Sequence, residues 1–166
     1  MIYNKLTEKF TLTEEITMDD KVVMNPIVAD FCGLLESRSV PYELNDNDAN
    51  MIRFRTKLPH HEVAPYVFIH FNPDNQALTL ALNHTAKFTS VGLDLYQVIN
   101  DFNADSESFG CKMYIEHNGE LVVLTSAILA GKDPRDQMED YLNVAIVSLD
   151  KYYGRISEII KNSKKD

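Results

Sequence analysis

The apolar residues of this chain change their spacing four times, and that order of changes restricts the fold more than any motif does. Ile27, Phe31, Leu34 and Leu35 share one face of residues 26–39, the period of an amphipathic helix. Asn25 stands at its N-cap and Pro26 at its first position, where a missing N–H costs nothing. Pro41 ends it. From Met51 to Leu58 the period drops to two. Ile52, Phe54, Thr56 and Leu58 alternate with Arg53, Arg55 and Lys57, which reads as an antiparallel strand with a solvated basic face. Tyr66–Phe71 is rich in aromatic and β-branched residues and predicts a second strand. Leu78, Leu80 and Leu82 alternate in a third, reached through the turn composition Asn72-Pro73-Asp74-Asn75.

Helical spacing returns over residues 90–104, where Val91, Leu95, Val98, Ile99 and Phe102 line one stripe. Two strands follow, Phe109–Glu116 and Glu120–Ile128, and Asn118-Gly119 between them is a strong hairpin signal. Asp133, Pro134 and Asp136 then open a long helix reaching about Lys161. Its positions Met138, Leu142, Ala145, Leu149, Tyr152, Ile156 and Ile159 repeat in steps of four and three. Such a seam serves either a coiled-coil dimer or the face of a helix laid across a sheet. Tyr141, Val144, Ile146, Val147 and Tyr153 widen the stripe, which favours the sheet. The predicted order is helix, three strands, helix, two strands, helix, and helices gathered against one antiparallel sheet define an α+β fold. Residues 1–25 hold no sustained period and read as an extension, packing on the domain through one short helix or strand. Residues 26–166 form the single domain.

Charge removes several functions. The 166 residues carry 25 acidic and 16 basic side chains, a net charge of −9. Nucleic-acid binders concentrate basic residues to displace counterions from phosphates, so DNA and RNA are not expected partners. The N-terminus lacks the apolar core of a secretory signal, and no apolar run reaches the ~20 residues of a membrane helix. Cys32 and Cys111 stand far apart without metal spacing. They read as buried free thiols of a cytoplasmic protein with no membrane partner.

Catalytic and metal motifs fail on inspection. His61-Glu62 starts like a zinc-protease HExxH, but Pro65 occupies the place of the second histidine and would break the helix. Adjacent His60 and His61 point apart on an extended chain. His70 and His84 would face each other only if their strands paired in that register, and two ligands without an acid make a weak site. Asp46-Asn47-Asp48-Ala49-Asn50 imitates a calcium loop, yet Met51 replaces the required glycine and Lys57 the closing glutamate. None of the six glycines forms a phosphate loop. No cofactor, metal or enzymatic activity is expected.

One resemblance adds to this. It rests on Val98-Ile99-Asn100-Asp101-Phe102-Asn103, on Tyr114-Ile115-Glu116, on Asn118-Gly119-Glu120-Leu121-Val122 and on Leu149-Asp150-Lys151-Tyr152-Tyr153. From about Leu93 onward the chain resembles the YbjN-like family, described as bacterial sensory transduction regulators and similar in fold to type III secretion chaperones. The resemblance implies a helix-flanked antiparallel sheet, frequent homodimerisation and no shared catalytic residues. It also singles out Asn100 and Asn103 as presenting a binding groove, beside the local reading that they cap the helix end.

The expected function is therefore a non-catalytic protein-binding module, chaperone-like or regulatory and dimeric. The partner would engage a sheet edge or the wide apolar face of the last helix. Met113, Met138, Tyr141, Tyr152 and Tyr153 are the candidate contacts, being residue types common at adaptable surfaces. The alternative is a sensor holding a metabolite between sheet and helix, with Tyr66, His70, His84 and Tyr114 as its polar points.

Overall fold

A computed structural model of the chain describes residues 23–163, so the extension up to residue 22 lies outside the described residues. The first helix, α1 (Pro26–Ser37), starts where the sequence places it. Asn25 is extended, and its side chain accepts from the Ile27 N–H at 3.0 Å. Four strands follow: β1 (Tyr42–Asn45), β2 (Asp48–Arg55), β3 (Tyr66–Asn72) and β4 (Ala77–Asn83). Then come α2 (Leu93–Ala104), a short 3-10 turn at Ser106–Ser108, β5 (Lys112–Ile115), β6 (Leu121–Ile128) and α3 (Pro134–Ser163). The six strands form one antiparallel sheet in the order β1-β2-β3-β4-β6-β5.

The α+β class stands as expected, with one strand added. Tyr42–Asn45 pairs with β2 through a turn in which the Asn45 side chain accepts from the Asn47 N–H at 2.9 Å. The acidic stretch at residues 46–50 is that turn and the start of β2. The β5–β6 hairpin also differs in detail from a two-residue loop. The Gly119 N–H donates to the Glu116 carbonyl, and only Gly119 has positive φ there, at 83°. That is a type I turn closed by a left-handed glycine, giving a three-residue loop. A Cβ on Gly119 would lie 2.0 Å from the Phe88 carbonyl oxygen, so any other residue would push the hairpin off that segment.

Alternation along the strands sorts the sheet into two faces. Ile52, Phe54, Val67, Ile69, Phe71, Leu78, Leu80, Leu82, Met113, Leu121 and Val123 all point to one side. There they meet Phe31 and Leu35 of α1, Leu95, Val98 and Phe102 of α2, and Met138, Ala145, Leu149 and Ile156 of α3. Burying a side chain of this size contributes about 1.5–3 kcal/mol, so this layer dominates stability. The seam of α3 thus packs on its own sheet. Among the described residues no helix is long and apolar enough to cross a membrane. Cys32 and Cys111 are free and buried, and burial pushes both thiols up.

Candidate functional site

All three helices cover the same side, which leaves the other face of the sheet to be explained. The residues out of phase with the core are Met51, Arg53 and Arg55 on β2 and Tyr66, Phe68 and His70 on β3. They continue with Thr79 and Ala81 on β4, Val122 and Leu124 on β6 and Tyr114 on β5. A one-sided antiparallel sheet normally turns polar residues outward. This one carries a second apolar cluster there. Met51, Phe68, Ala81 and Val122 are 2%, 3%, 0% and 0% exposed, ringed by half-buried Tyr66, Tyr114 and Leu124. Only strand residues belong to that cluster among the described residues.

The rim is basic and aromatic. The Arg55 guanidinium lies 4.1 Å from the centre of the Tyr66 ring, and that of Arg53 lies 5.5 Å away. Stacked arginine keeps its donors turned outward while its plane rests on the ring. Arg53 pairs with Glu43, whereas Arg55 forms no ion pair among the described residues. His70 Nε2 sits 3.2 Å from Asp48 Oδ2. Burial, followed by the nearby Glu116 charge, pushes the Tyr114 phenol up to about 12, so it stays a neutral hydrogen-bonding group at physiological pH. At one end His84 meets the edge of Tyr66 at 5.1 Å and approaches Glu120 at 3.1 Å. Tyr, Phe, Met and Arg are the residue types enriched where proteins meet.

This placement corrects one sequence reading. Tyr66, His70 and Tyr114 lie on the helix-free side because strand parity turns them away from the helices, and His84, just past β4 with φ 58°, meets the Tyr66 ring. They cannot line a cavity between sheet and helix, where the packed core lies. His70 pairs with Thr79, and His84 lies beyond the end of β4, so the two histidines do not oppose each other.

The sheet edge at β5 is locked. The Glu116 N–H donates to the Glu120 carbonyl, which sets the backbone groups of even-numbered residues of this strand toward β6 and those of odd-numbered ones outward. The outward groups of Met113 are taken by one side chain on α2. Asn103 Nδ2 donates to the Met113 carbonyl at 3.0 Å, and Asn103 Oδ1 accepts from the Met113 N–H at 2.8 Å. The amide mimics the pairing of a seventh strand. An incoming peptide would have to displace it, so strand addition at this edge is opposed.

The other predicted contacts separate into surface and interior. Met113 and Met138 are 1% and 0% exposed and belong to the core, so neither reaches a partner in this conformation. Tyr141, Tyr152 and Tyr153 are half-buried against the same core. The Tyr152 hydroxyl donates to Asp105 at 2.9 Å and that of Tyr153 to the Thr85 carbonyl at 3.1 Å. Asn100 is exposed on α2, on the same stripe as Leu93 and Tyr96, which are 81% and 60% exposed. The wide apolar face of α3 is consumed by packing, leaving Val147 as its exposed large apolar side chain.

The His60-His61 loop is anchored rather than simply solvated. The His60 N–H donates to Asp150 Oδ1 at 2.9 Å, and its Nδ1 lies 2.6 Å from Asp150 Oδ2. His61 Nε2 reaches the Asp150 carbonyl at 3.1 Å, and its ring lies tilted against Tyr153 at 5.0 Å. Burial works against the Asp150 charge, but the His60 bonds prevail and hold its carboxyl below the ordinary value. Among the described residues both rings are hydrogen-bonded to Asp150, His60 to its carboxylate and His61 to its carbonyl. No sequence spacing pointed to this link, since its partners are 90 residues apart.

Comparison with known proteins is sparse. No protein-family model matches the chain, and no curated protein matches it. The YbjN-like resemblance therefore stands on its residue pattern alone. Among solved structures, a chain in the crystal structure of the ExsC–ExsE complex is similar at 12% identity and a TM-score of 0.48, covering 78% of this chain and 89% of that one. No residue role is transferred from it.

Proposed function

We propose that this chain is a non-catalytic protein-binding module, chaperone-like or regulatory, whose binding surface is the helix-free face of the sheet. One observation carries the reading: the half-buried side chains of Tyr66, Tyr114 and Leu124, with stacked arginines beside them, surround an apolar cluster on a face that none of the described helices covers. Apolar centre and polar rim is the anatomy of a protein interface. The arginines suit a partner segment with apolar side chains flanked by carboxylates. Homodimerisation and a cytoplasmic setting belong to the same reading, the first from the family resemblance and the second from two unpaired thiols.

The test compares captured proteins for the full chain and for R53E/R55E, at matched melting temperatures. V147K serves as a control on the helix side. The charge-reversed chain is expected to lose a protein that the other two retain. Identical capture by all three chains would remove the face from consideration. Sedimentation over a wide concentration range tests the dimer, and a monomer throughout would exclude it.

A further inference from the structure

The sheet has a notch where its first strand begins. Strand β2 runs to Arg55 and pairs there with Tyr66 of β3, but β1 starts only at Tyr42, opposite Phe54. One step further in that register, Pro41 stands opposite Arg55 without joining the ladder. Proline has no N–H, so it cannot give the return bond of an antiparallel pair. The Thr56 N–H donates to the Pro65 carbonyl, which turns the backbone groups of even-numbered β2 residues toward β3 and those of odd-numbered ones toward β1. The Arg55 N–H and carbonyl therefore face the side on which β1 has ended.

A cavity of about 210 Å³ occupies the notch, with Pro41, Tyr42 and Tyr66 among its walls and Glu43, Arg53 and Arg55 at its rim. Its size limits the occupant. A water takes about 30 Å³ of liquid, so the space holds roughly seven waters, or one ring with a short polar group. Pockets for drug-sized molecules begin near ~300 Å³.

Charge narrows the choice further. Two guanidinium groups against one carboxylate leave the rim with an excess positive charge, on a chain whose net charge is −9. Glu43 is paired with Arg53. Arg55 lies 4.1 Å from the centre of the Tyr66 ring and forms no ion pair among the described residues. A stacked guanidinium turns its N–H edge away from the ring, as a fork that fits a carboxylate through two parallel bonds. The Tyr42 hydroxyl is spent on Glu36 at 2.6 Å, so that residue offers the cavity ring carbon. Pro41 and the Tyr66 ring add apolar surface.

We infer that this notch binds a carboxylate carried on an aromatic or branched apolar group. Arg55 takes the carboxylate, and Pro41, Tyr42 and Tyr66 enclose the apolar part. A free organic acid and the last residue of a polypeptide both present this chemistry. Occupation of the notch does not require that the neighbouring apolar cluster bind a protein.

The experiment titrates the full chain, isotope-labelled, with 3-phenylpropionate and follows backbone amides by NMR. Saturable shifts are expected at Tyr42, Arg55 and Tyr66, and not at Leu93 or Val147 on the helix side. 3-Phenylpropionamide lacks the charge and acetate lacks the ring, and each is expected to bind about fivefold more weakly or worse. R55Q, at an exposed position, is expected to weaken 3-phenylpropionate about tenfold at an unchanged melting temperature. The tripeptide Ala-Ala-Phe, with a free and with an amidated C-terminus, separates the two sources. Shifts at the same amides that vanish on amidation support a chain end as occupant, and a silent tripeptide beside a binding free acid supports the small acid. The amide or acetate binding as well as 3-phenylpropionate, R55Q binding as well as its parent, or shifts spread over other cationic sites would each overturn the proposal. No partner protein takes part, so its failure is distinct from a failed capture experiment.

Discussion

Asn103 does the work of a strand. Its amide supplies a donor and an acceptor to Met113 at distances usual for backbone pairing. Asn103→Ala leaves an N–H and a carbonyl at a half-buried edge with water as their only substitute. The expected loss is about 1–3 kcal/mol by urea unfolding. Asn100→Ala, on the exposed side of the same helix, should stay within about 0.5 kcal/mol. Equal effects of the two would show that the edge lock carries no stability. The sequence pattern singled out both asparagines but could not separate them. Their difference depends on where the chain returns after the turn at Ser106–Ser108, and Asn103 meets a residue 10 positions on. Met113 and Met138 show the converse. Their residue type suits a surface, and only the packing of α2 and α3 over the sheet assigns them to the interior.

Between elements, one charged cluster fastens the end of α2 to α3. Lys151 Nζ lies 2.8 Å from Asp105 and 2.6 Å from Glu107, and the Tyr152 hydroxyl adds a bond to Asp105. The Lys151 hydrogen bond, then the Glu107 N–H and Tyr152, lower the Asp105 carboxyl from 3.8 to about 2. The folded state therefore holds fewer protons than the unfolded one between these values. The stabilisation is complete above pH about 4 and is lost as pH falls towards 2. Lys151→Met is expected to lower the melting temperature at neutral pH and to flatten its fall between pH 4 and 2. Parallel melting curves for both chains over that interval would count against the link. The elements themselves were largely readable, because each long one keeps a single period and ends at a cap or a turn residue. Strand β1 was not. Tyr42-Glu43-Leu44-Asn45 is too short to display alternation, and Leu44 is 37% exposed. It is a strand because β2 offers it a pairing edge, and that is a property of the assembled sheet.

At the scale of the molecule, the question is whether the protein has two layers or three. Helices on one side of the sheet make two. The other side adds a second apolar cluster of the sheet itself, in which Met51, Phe68, Ala81 and Val122 are nearly closed to solvent. Phe68 and Phe71 lie three positions apart on the same strand and so on opposite faces, at 3% and 1% exposed. Phe71→Ala removes a ring from the helix-packed core and is expected to cost about 3–5 kcal/mol. Phe68 is closed to solvent almost as fully as Phe71, so Phe68→Ala is expected to leave a cavity as well and to cost within about 1–2 kcal/mol of the Phe71 value. A cost of about 1 kcal/mol or less would show that the far face contributes little packing. Urea unfolding of the full chain with each substitution makes the comparison. The sequence alternation placed these two rings on opposite sides, but it could not rank them. Rank depends on what lies above each face, which the alternation of a single strand does not carry.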